Sequence, residues 1–154
     1  MVRCDAEHLF ALLAAPARIP AWRSDIIEAA RIDDSEAPLA VGHRYREVIR
    51  FMGRQEQTFE VVALEVGANT MRLVVRAIGG LALRPTQSFT VERADEGACR
   101  LVYDVVLPLS GRFRLLRPLL ARMIPKKWRG YADALRLLAE RESLTEPLTE
   151  RRSA

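Results

Sequence analysis

Between residues 26 and 108 the hydrophobic and polar positions alternate with a period of two. Such alternation is typical of strands with one buried face. It predicts six strands, near residues 26–33, 43–51, 55–65, 70–78, 83–93 and 99–108. The connections are short and rich in turn residues, such as "VGAN" and "ADEG". Because a parallel crossover needs about a dozen residues or more, this part of the chain is predicted to form an antiparallel meander.

The N-terminal segment changes to helical spacing. After a brief opening strand that ends near Cys4, the stretch "DAEHLFALLAAP" carries apolar residues on one helical face. Asp5 is its predicted N-cap and Pro16 its end. The following "ARIPAW" predicts a second short helix or turn that leads to Trp22.

The C-terminal segment 115–142 is also helical in spacing, and it is long for a chain of this size. Pro118 marks its start, and Pro125 predicts a kink or break. Its apolar stripe consists of Leu116, Leu120, Met123, Tyr131, Leu135 and Leu138.

One long amphipathic helix must bury its apolar stripe, and the inward face of the sheet is the surface available for it. The sequence therefore predicts an α+β protein in which the sheet packs on the C-terminal helix. Alternation assigns the following residues to the inward face: Tyr45, Ile49, Phe51, Phe59, Val61, Met71, Leu73, Val75, Phe89, Val91, Leu101, Tyr103, Val105 and Leu107.

Composition limits the possible classes of protein. A chain of 154 residues that is 49% hydrophobic fits one domain, predicted here to span residues 1–142, with a polar and disordered tail at 143–154. No apolar run reaches the roughly 20 residues that span a bilayer, and the first residues lack a signal-peptide pattern. We therefore expect a soluble, cytoplasmic protein. Two cysteines and two histidines, without ligand spacing, predict neither a metal site nor a cofactor.

Positive charge is concentrated in one segment. From Arg112 to Arg129, "RFRLLRPLLARMIPKKWR" contains seven cations and no acid. No DNA- or RNA-binding motif accompanies it, so a nucleic-acid partner is not predicted. The segment is interpreted as a solvated helix face, or as a transient contact with a membrane surface or an acidic partner.

Glu47 breaks the apolar pattern of its strand, "YREVIRF". Its parity places it on the inward face together with Gln57, Gln87 and two tyrosine hydroxyls. An isolated carboxylate in a dry interior is very costly, so Glu47 must be paired, hydrated or protonated there. With a raised pKa it could serve as a general base. The alternative places it at the rim, solvated or paired with Arg3 or with an arginine on a neighbouring loop, if a bulge or register slip turns it outward.

The order of elements resembles the START-like (SRPBCC) superfamily with the helix-grip fold, in particular its polyketide cyclase/dehydrase and lipid-transport branch. The similar stretches are "DAEHLFALLAAPARIPAW", Gly42 before the third strand, "FEVVALE", "EGACRLVYDV" and "LRLLAE". The resemblance covers residues 1 to about 142. It implies a curved antiparallel sheet of about seven strands that wraps the long helix.

The resemblance further implies an elongated cavity between sheet and helix that accepts an apolar small molecule. Its first and last strands would pair antiparallel, which would bring Cys4 toward Cys99. The residues predicted to line the cavity are Trp22, Tyr45, Glu47, Ile49, Phe51, Gln57, Phe59, Met71, Leu73, Gln87, Phe89, Tyr103, Val105, Leu120, Met123 and Tyr131.

Three hypotheses of function follow. The first is a carrier or sensor that binds a lipid, a quinone or a polyketide-like molecule. The second is a cyclase or dehydratase with Glu47 as base and Tyr45, Tyr103 or Gln87 polarising a carbonyl. The third is an accessory protein that docks through residues 112–129. The sequence favours the first, and it sets neither the ligand nor the oligomeric state.

Overall fold

The computed structural model describes residues 1–33, 37–50, 53–81, 83–94, 97–109, 114–115 and 117–145. The two short helices are α1 (Ala6–Leu13) and a 3-10 helix (Pro16–Ala21). The strands are β1 (Ile26–Arg31), β2 (Arg44–Arg50), β3 (Arg54–Val66), β4 (Thr70–Gly79), β5 (Thr86–Arg93) and β6 (Cys99–Val106). The long C-terminal helix is α2 (Arg117–Thr145).

The six strands form one curved antiparallel sheet in the order β1-β2-β3-β4-β5-β6. The predicted meander is therefore confirmed. The sheet has six strands and not seven, because the opening segment forms only a single bridge between Val2 and Cys99. Asp5 already stands at the N-cap of α1, so the backbone leaves the sheet after that bridge. The bridge still brings the two thiols together, with the Cys4 and Cys99 sulfurs 4.0 Å apart and both buried.

The inward face of the sheet packs with α1 and with the C-terminal half of α2. Buried residues of α2 are Tyr131, Leu135 and Ala139, and together with Leu9, Phe59 and other apolar side chains they form one core cluster. The helix continues through Pro125 without the predicted break. It also extends past the predicted boundary at residue 142 to Thr145, while 146–154 lie outside the described residues.

The N-terminal half of α2 does not bury the predicted stripe in full. Leu120 is half-buried, and Met123 is 59% exposed. Leu116 lies outside the described residues. The sheet therefore covers α2 mainly from Trp128 onward, where Trp128 packs on Tyr103.

The outer face of the sheet carries paired charges. Arg44 and Arg76 both reach Glu60, and Arg46 reaches Glu28. Further arginine–glutamate pairs follow on the same face: Arg54 with Glu28, Arg72 with Glu65, and Arg100 with Glu92. Long charged side chains can cover apolar surface with their stems, and two outward-facing valines, Val48 and Val74, are buried outside the main core cluster.

Candidate ligand-binding site

Residues 22–25 connect the 3-10 helix to β1. They place one charged side chain, Arg23, in the interior and another, Asp25, at the surface of a groove. The amides of Trp22 and Arg23 both donate to the carbonyl of Ile19, and the amide of Ile26 donates to the carbonyl of Arg23. These bonds fix the segment tightly. The Trp22 ring is buried edge-on against Phe89, with centroids 6.2 Å apart. Arg23 then points into the interior, and Asp25 lines a groove beside α2.

Glu47 faces the interior and is paired with Arg23. The Arg23 Nη1 donates to both carboxylate oxygens, at 3.1 and 3.0 Å, and the two side chains are only 6% and 1% exposed. Burial raises the pKa of Glu47 above its ordinary value, and Arg23 offsets this only in part. Burial alone would lower the pKa of Arg23, but the neighbouring Glu47 raises it. The alternative that placed Glu47 at the rim is wrong, although its partner is indeed an arginine on a connecting segment.

Three further inward polar side chains form hydrogen bonds inside the protein. The Tyr103 hydroxyl donates to Gln87 Oε1 at 2.8 Å, and Gln57 Nε2 donates to the Leu83 carbonyl at 2.8 Å. Burial raises the pKa of Tyr103 well above its usual range. Aromatic stacking fills the space around these groups, with Phe89 on Tyr103 at 4.3 Å. These polar groups therefore hold the core together and do not point at a guest.

The space left in the interior is small. Beside Glu47 there is an enclosed cavity of about 10 Å³, lined by Leu13, Pro16, Ile19, Trp22, Arg23, Leu39, Tyr45, Glu47, Leu73, Gln87 and Phe89. A cavity of that volume is at the limit for one water molecule. The elongated cavity expected around Glu47 is thus filled by side chains, and a substrate has no room to approach the carboxylate.

A much larger space opens on the other side of Trp22. A groove of about 760 Å³ runs between residues 20–25 and the middle of α2. Its lining residues are Pro20, Ala21, Trp22, Ser24, Asp25, Arg50, Met123, Lys126, Lys127, Gly130, Tyr131 and Ala134. The groove thus follows α2 from the exposed Met123 to Ala134 in the half of the helix that packs on the core.

Charged groups surround the floor of this groove. Lys127 Nζ lies 3.1 Å from Asp25 Oδ2, and the Nε of Arg23 lies 3.6 Å from Asp25 Oδ1. Burial opposes ionisation of Asp25, but Arg23, Tyr131 and Lys127 together hold the pKa of Asp25 below its ordinary value. Burial and the adjacent Asp25 raise the pKa of Tyr131. Asp25 is therefore a fixed anion between two cations.

Two cations of the groove lining have no described counter-ion, and two buried donors of lining residues, Trp22 Nε1 and the Tyr131 hydroxyl, have no acceptor in the part of the chain that the structure describes. Arg50 and Lys126 form no ion pair with any residue that the structure describes. The buried Trp22 Nε1 has no acceptor within the same set of residues. A buried donor without an acceptor is costly, and the Trp22 side chain that carries it lines both the enclosed cavity and the groove.

The residues predicted to line one cavity are divided by the structure. Six line the small enclosed space: Trp22, Tyr45, Glu47, Leu73, Gln87 and Phe89. Trp22 also lines the groove, as do Met123 and Tyr131. Seven line neither space: Ile49, Gln57, Phe59, Met71, Tyr103, Val105 and Leu120. Phe51 lies outside the described residues.

Sequence reasoning missed the charged residues of the site. Arg23, Asp25 and Lys127 were not singled out as site residues, although "WRSD" places two of them directly after the predicted Trp22. The available signal was an arginine beside a buried tryptophan, with one unpaired inward carboxylate elsewhere in the chain. Strand parity could identify Glu47 but could not identify a partner that lies on an irregular segment.

The described residues contain no group of three or more histidine, cysteine or acidic side chains placed to hold a metal. None of their helices combines the length and the hydropathy needed to cross a bilayer.

The fold and the groove define the class of the protein as a helix-grip α+β domain. Within that class, a family model described as polyketide cyclase / dehydrase and lipid transport matches residues 1–141. The chain belongs to this family. No curated protein matches it in sequence.

Solved structures support the same fold. A hypothetical protein from Helicobacter pylori is 16% identical, with 90% of this chain and 83% of that chain covered and a TM-score of 0.71. A STAR-related lipid transfer protein fragment from Xanthomonas axonopodis is 11% identical, with 90% and 81% covered and a TM-score of 0.66. A START superfamily protein from Mycobacterium smegmatis is 15% identical, with 92% and 93% covered and a TM-score of 0.66. At these identities the likeness concerns the fold alone.

Proposed function

We propose that this protein binds an apolar small molecule in the groove between residues 20–25 and α2, and that it acts as a carrier or sensor. The family supports the class of ligand, since it is a family of polyketide cyclases, dehydrases and lipid transport proteins, and one similar solved structure is a fragment of a STAR-related lipid transfer protein. The observation that carries the proposal is the groove itself. Its volume of about 760 Å³ lies within the range of small-molecule sites.

The lining suits an elongated molecule with an apolar body. Trp22, Met123 and Ala134 supply apolar surface, and Lys126 and Arg50 stand at the groove with no described counter-ion. A few polar groups in a mostly apolar lining fix the orientation of a ligand without supplying all the affinity. Lipids, quinones and polyketide-like molecules all share this apolar body.

The geometry does not favour the enzymatic alternative. Glu47 is held by Arg23 at hydrogen-bond distance to both oxygens, and the space beside it measures only about 10 Å³. A general base must come within hydrogen-bond reach of the proton that it removes. Glu47 is better explained as half of a structural ion pair, and Tyr103 and Gln87 as partners of each other.

Gly130 offers a sharp test of the groove. It lies on α2 at the groove, and a Cβ there would meet no atom within 4 Å. Gly130→Trp should therefore fold normally and occupy part of the groove. Gly130→Ala is the control, because it also replaces the helix-destabilising glycine, with a gain of about 1 kcal/mol in helix propensity, and it leaves the groove open.

The measurement is a titration with a fluorescent fatty acid, such as parinaric acid, which accepts energy from Trp22 nearby. We expect the wild type and Gly130→Ala to bind alike and Gly130→Trp to bind at least about tenfold more weakly, because the indole removes apolar contact area from the ligand. Native mass spectrometry of protein from its source should show a co-purified apolar adduct. Equal affinity for all three proteins would refute the groove as the site.

A further inference from the structure

The N-terminal half of α2 presents an exposed face that combines apolar and basic residues. Leu119, Arg122, Met123 and Lys126 are spaced i, i+3, i+4 and i+7, so they share one side of the helix. All four are exposed, with Leu119 at 54% and Met123 at 59%. Arg129 extends the same side. These five residues are referred to as the basic face.

The cations of the basic face differ from the paired arginines on the outer face of the sheet. On the outer face of the sheet the arginines reach glutamates, as Arg44 and Arg76 both reach Glu60. Arg122, Lys126 and Arg129 form no ion pair with any residue in the described ranges. The sequence contains no acid between residues 105 and 132. Uncompensated positive charge is therefore concentrated on this side of α2.

The rest of the same helix is different. Acidic residues return in the C-terminal half, where Asp133 lies 3.7 Å from Arg136 and Glu142 contacts Arg18 and His8. That half is the part that packs on the core. The charge pattern thus divides α2 into a docked, mixed-charge half and an exposed half that is both basic and apolar.

We propose that the basic face docks on an anionic lipid membrane. A helix that carries Lys and Arg among exposed apolar side chains lies in the membrane interface, with the apolar groups below the headgroups and the cations against the anionic lipids. Both parts of this requirement are present here. An acidic protein would match the cations but would leave Leu119 and Met123 without an apolar phase.

Docking in this orientation has a consequence for the groove. Met123 and Lys126 belong both to the basic face and to the lining of the groove. A membrane in contact with the basic face would therefore lie at the groove mouth. The docking itself does not require the groove to hold a ligand, so the two proposals can be tested separately.

The experiment is vesicle flotation with purified full-length protein. One set of vesicles contains phosphatidylcholine alone, and the other contains a third phosphatidylglycerol. The test variant is Arg122→Glu/Arg129→Glu, because neither arginine lines the groove. The matched control is Arg3→Glu/Arg141→Glu, which makes the same change in net charge at exposed positions outside the basic face.

We expect the wild type and the control to float with the anionic vesicles only. The test variant should partition at least about a hundredfold more weakly, since each cation near an anionic surface contributes about fivefold. Raising the salt from about 0.1 M to 1 M shortens the Debye length from about 10 Å to 3 Å and should release the wild type. Leu119→Asn should weaken partitioning on the order of tenfold without any change in charge.

Parinaric acid binding by the test variant should match the wild type, which separates loss of docking from loss of the groove. The proposal is overturned if the wild type fails to float with anionic vesicles, or if both double variants float equally well. Binding to a soluble acidic polymer in the absence of vesicle binding would also overturn it and would indicate an acidic macromolecule instead.

Discussion

The pair between Arg23 and Glu47 gives the most demanding test of this structure. Both side chains are at least nine-tenths buried, and one guanidinium nitrogen lies 3.1 and 3.0 Å from the two carboxylate oxygens. Two unit charges about 4 Å apart at an effective dielectric constant of about 20 interact by about 4 kcal/mol. Removal of one partner of a buried pair costs about 3–5 kcal/mol. Arg23→Met should therefore lower the free energy of unfolding by about this amount at neutral pH.

The loss should depend on pH in a defined direction. Burial already raises the pKa of Glu47, and removal of Arg23 takes away the main effect that lowers it. In the unfolded chain the pKa of a glutamate is about 4.3. A carboxyl whose pKa is higher than this in the folded state stabilises the folded state fully when the pH is below the unfolded pKa. This contribution is lost as the pH rises through the folded pKa. The deficit of Arg23→Met should therefore shrink from neutral pH toward about pH 5, at up to about 1.4 kcal/mol per pH unit.

Urea denaturation followed by tryptophan fluorescence measures both quantities. The control is Arg23→Met/Glu47→Leu, which removes both charges and should be neutral or more stable than the wild type by about 1–4 kcal/mol. It should also lose the pH-dependent part of the deficit. A deficit below about 1 kcal/mol for Arg23→Met, or the same deficit at every pH, would show that Glu47 is not left buried and unpaired.

Three further outcomes are expected from local geometry. Gly80 has φ +96°, and a Cβ there would overlap the backbone of β3. Gly80→Ala should therefore lower the free energy of unfolding by on the order of 1–3 kcal/mol in the same denaturation assay. An unchanged free energy of unfolding would contradict the close approach of the two backbones. Tyr103→Phe removes the hydrogen bond to Gln87 and leaves the buried Gln87 oxygen without a donor, so the free energy of unfolding should fall by about 1–3 kcal/mol. An unchanged free energy of unfolding would mean that the bond is not formed. Oxidation by diamide should join Cys4 to Cys99, since their sulfurs lie 4.0 Å apart, and should raise stability by about 4 kcal/mol through closure of a long loop. Two free thiols in the denatured protein after oxidation would refute that pairing.

The sequence predicted the fold through patterns that each depend on local residues. Alternation located the six strands, with ends that differ from the observed ones by only a few positions in β1–β6. Helical spacing located α1 and α2, and Asp5 does occupy the N-cap position of α1. Short connections required antiparallel neighbours, which the strand order confirms. These features could be predicted because periodicity and turn chemistry act over a few consecutive residues.

Glu47 shows where local reasoning ends. Parity on β2 placed its side chain inward, since only two faces are available to a strand residue, and its burial agrees. Parity could not supply its partner, because Arg23 comes from a segment without a repeating pattern. Nor could it give the volume beside Glu47, which depends on how Trp22, Tyr45 and Phe89 fill the same space.

The sequence by itself therefore determined the class of fold, the inward face of the sheet, and the location of the basic segment. Tertiary structure decided that the large space is a groove between residues 20–25 and α2, and that the interior beside Glu47 is nearly filled. The physical reason is that periodicity fixes the direction in which a side chain points. The volume that remains between elements is set by the packing of residues far apart in the chain, which no local pattern encodes.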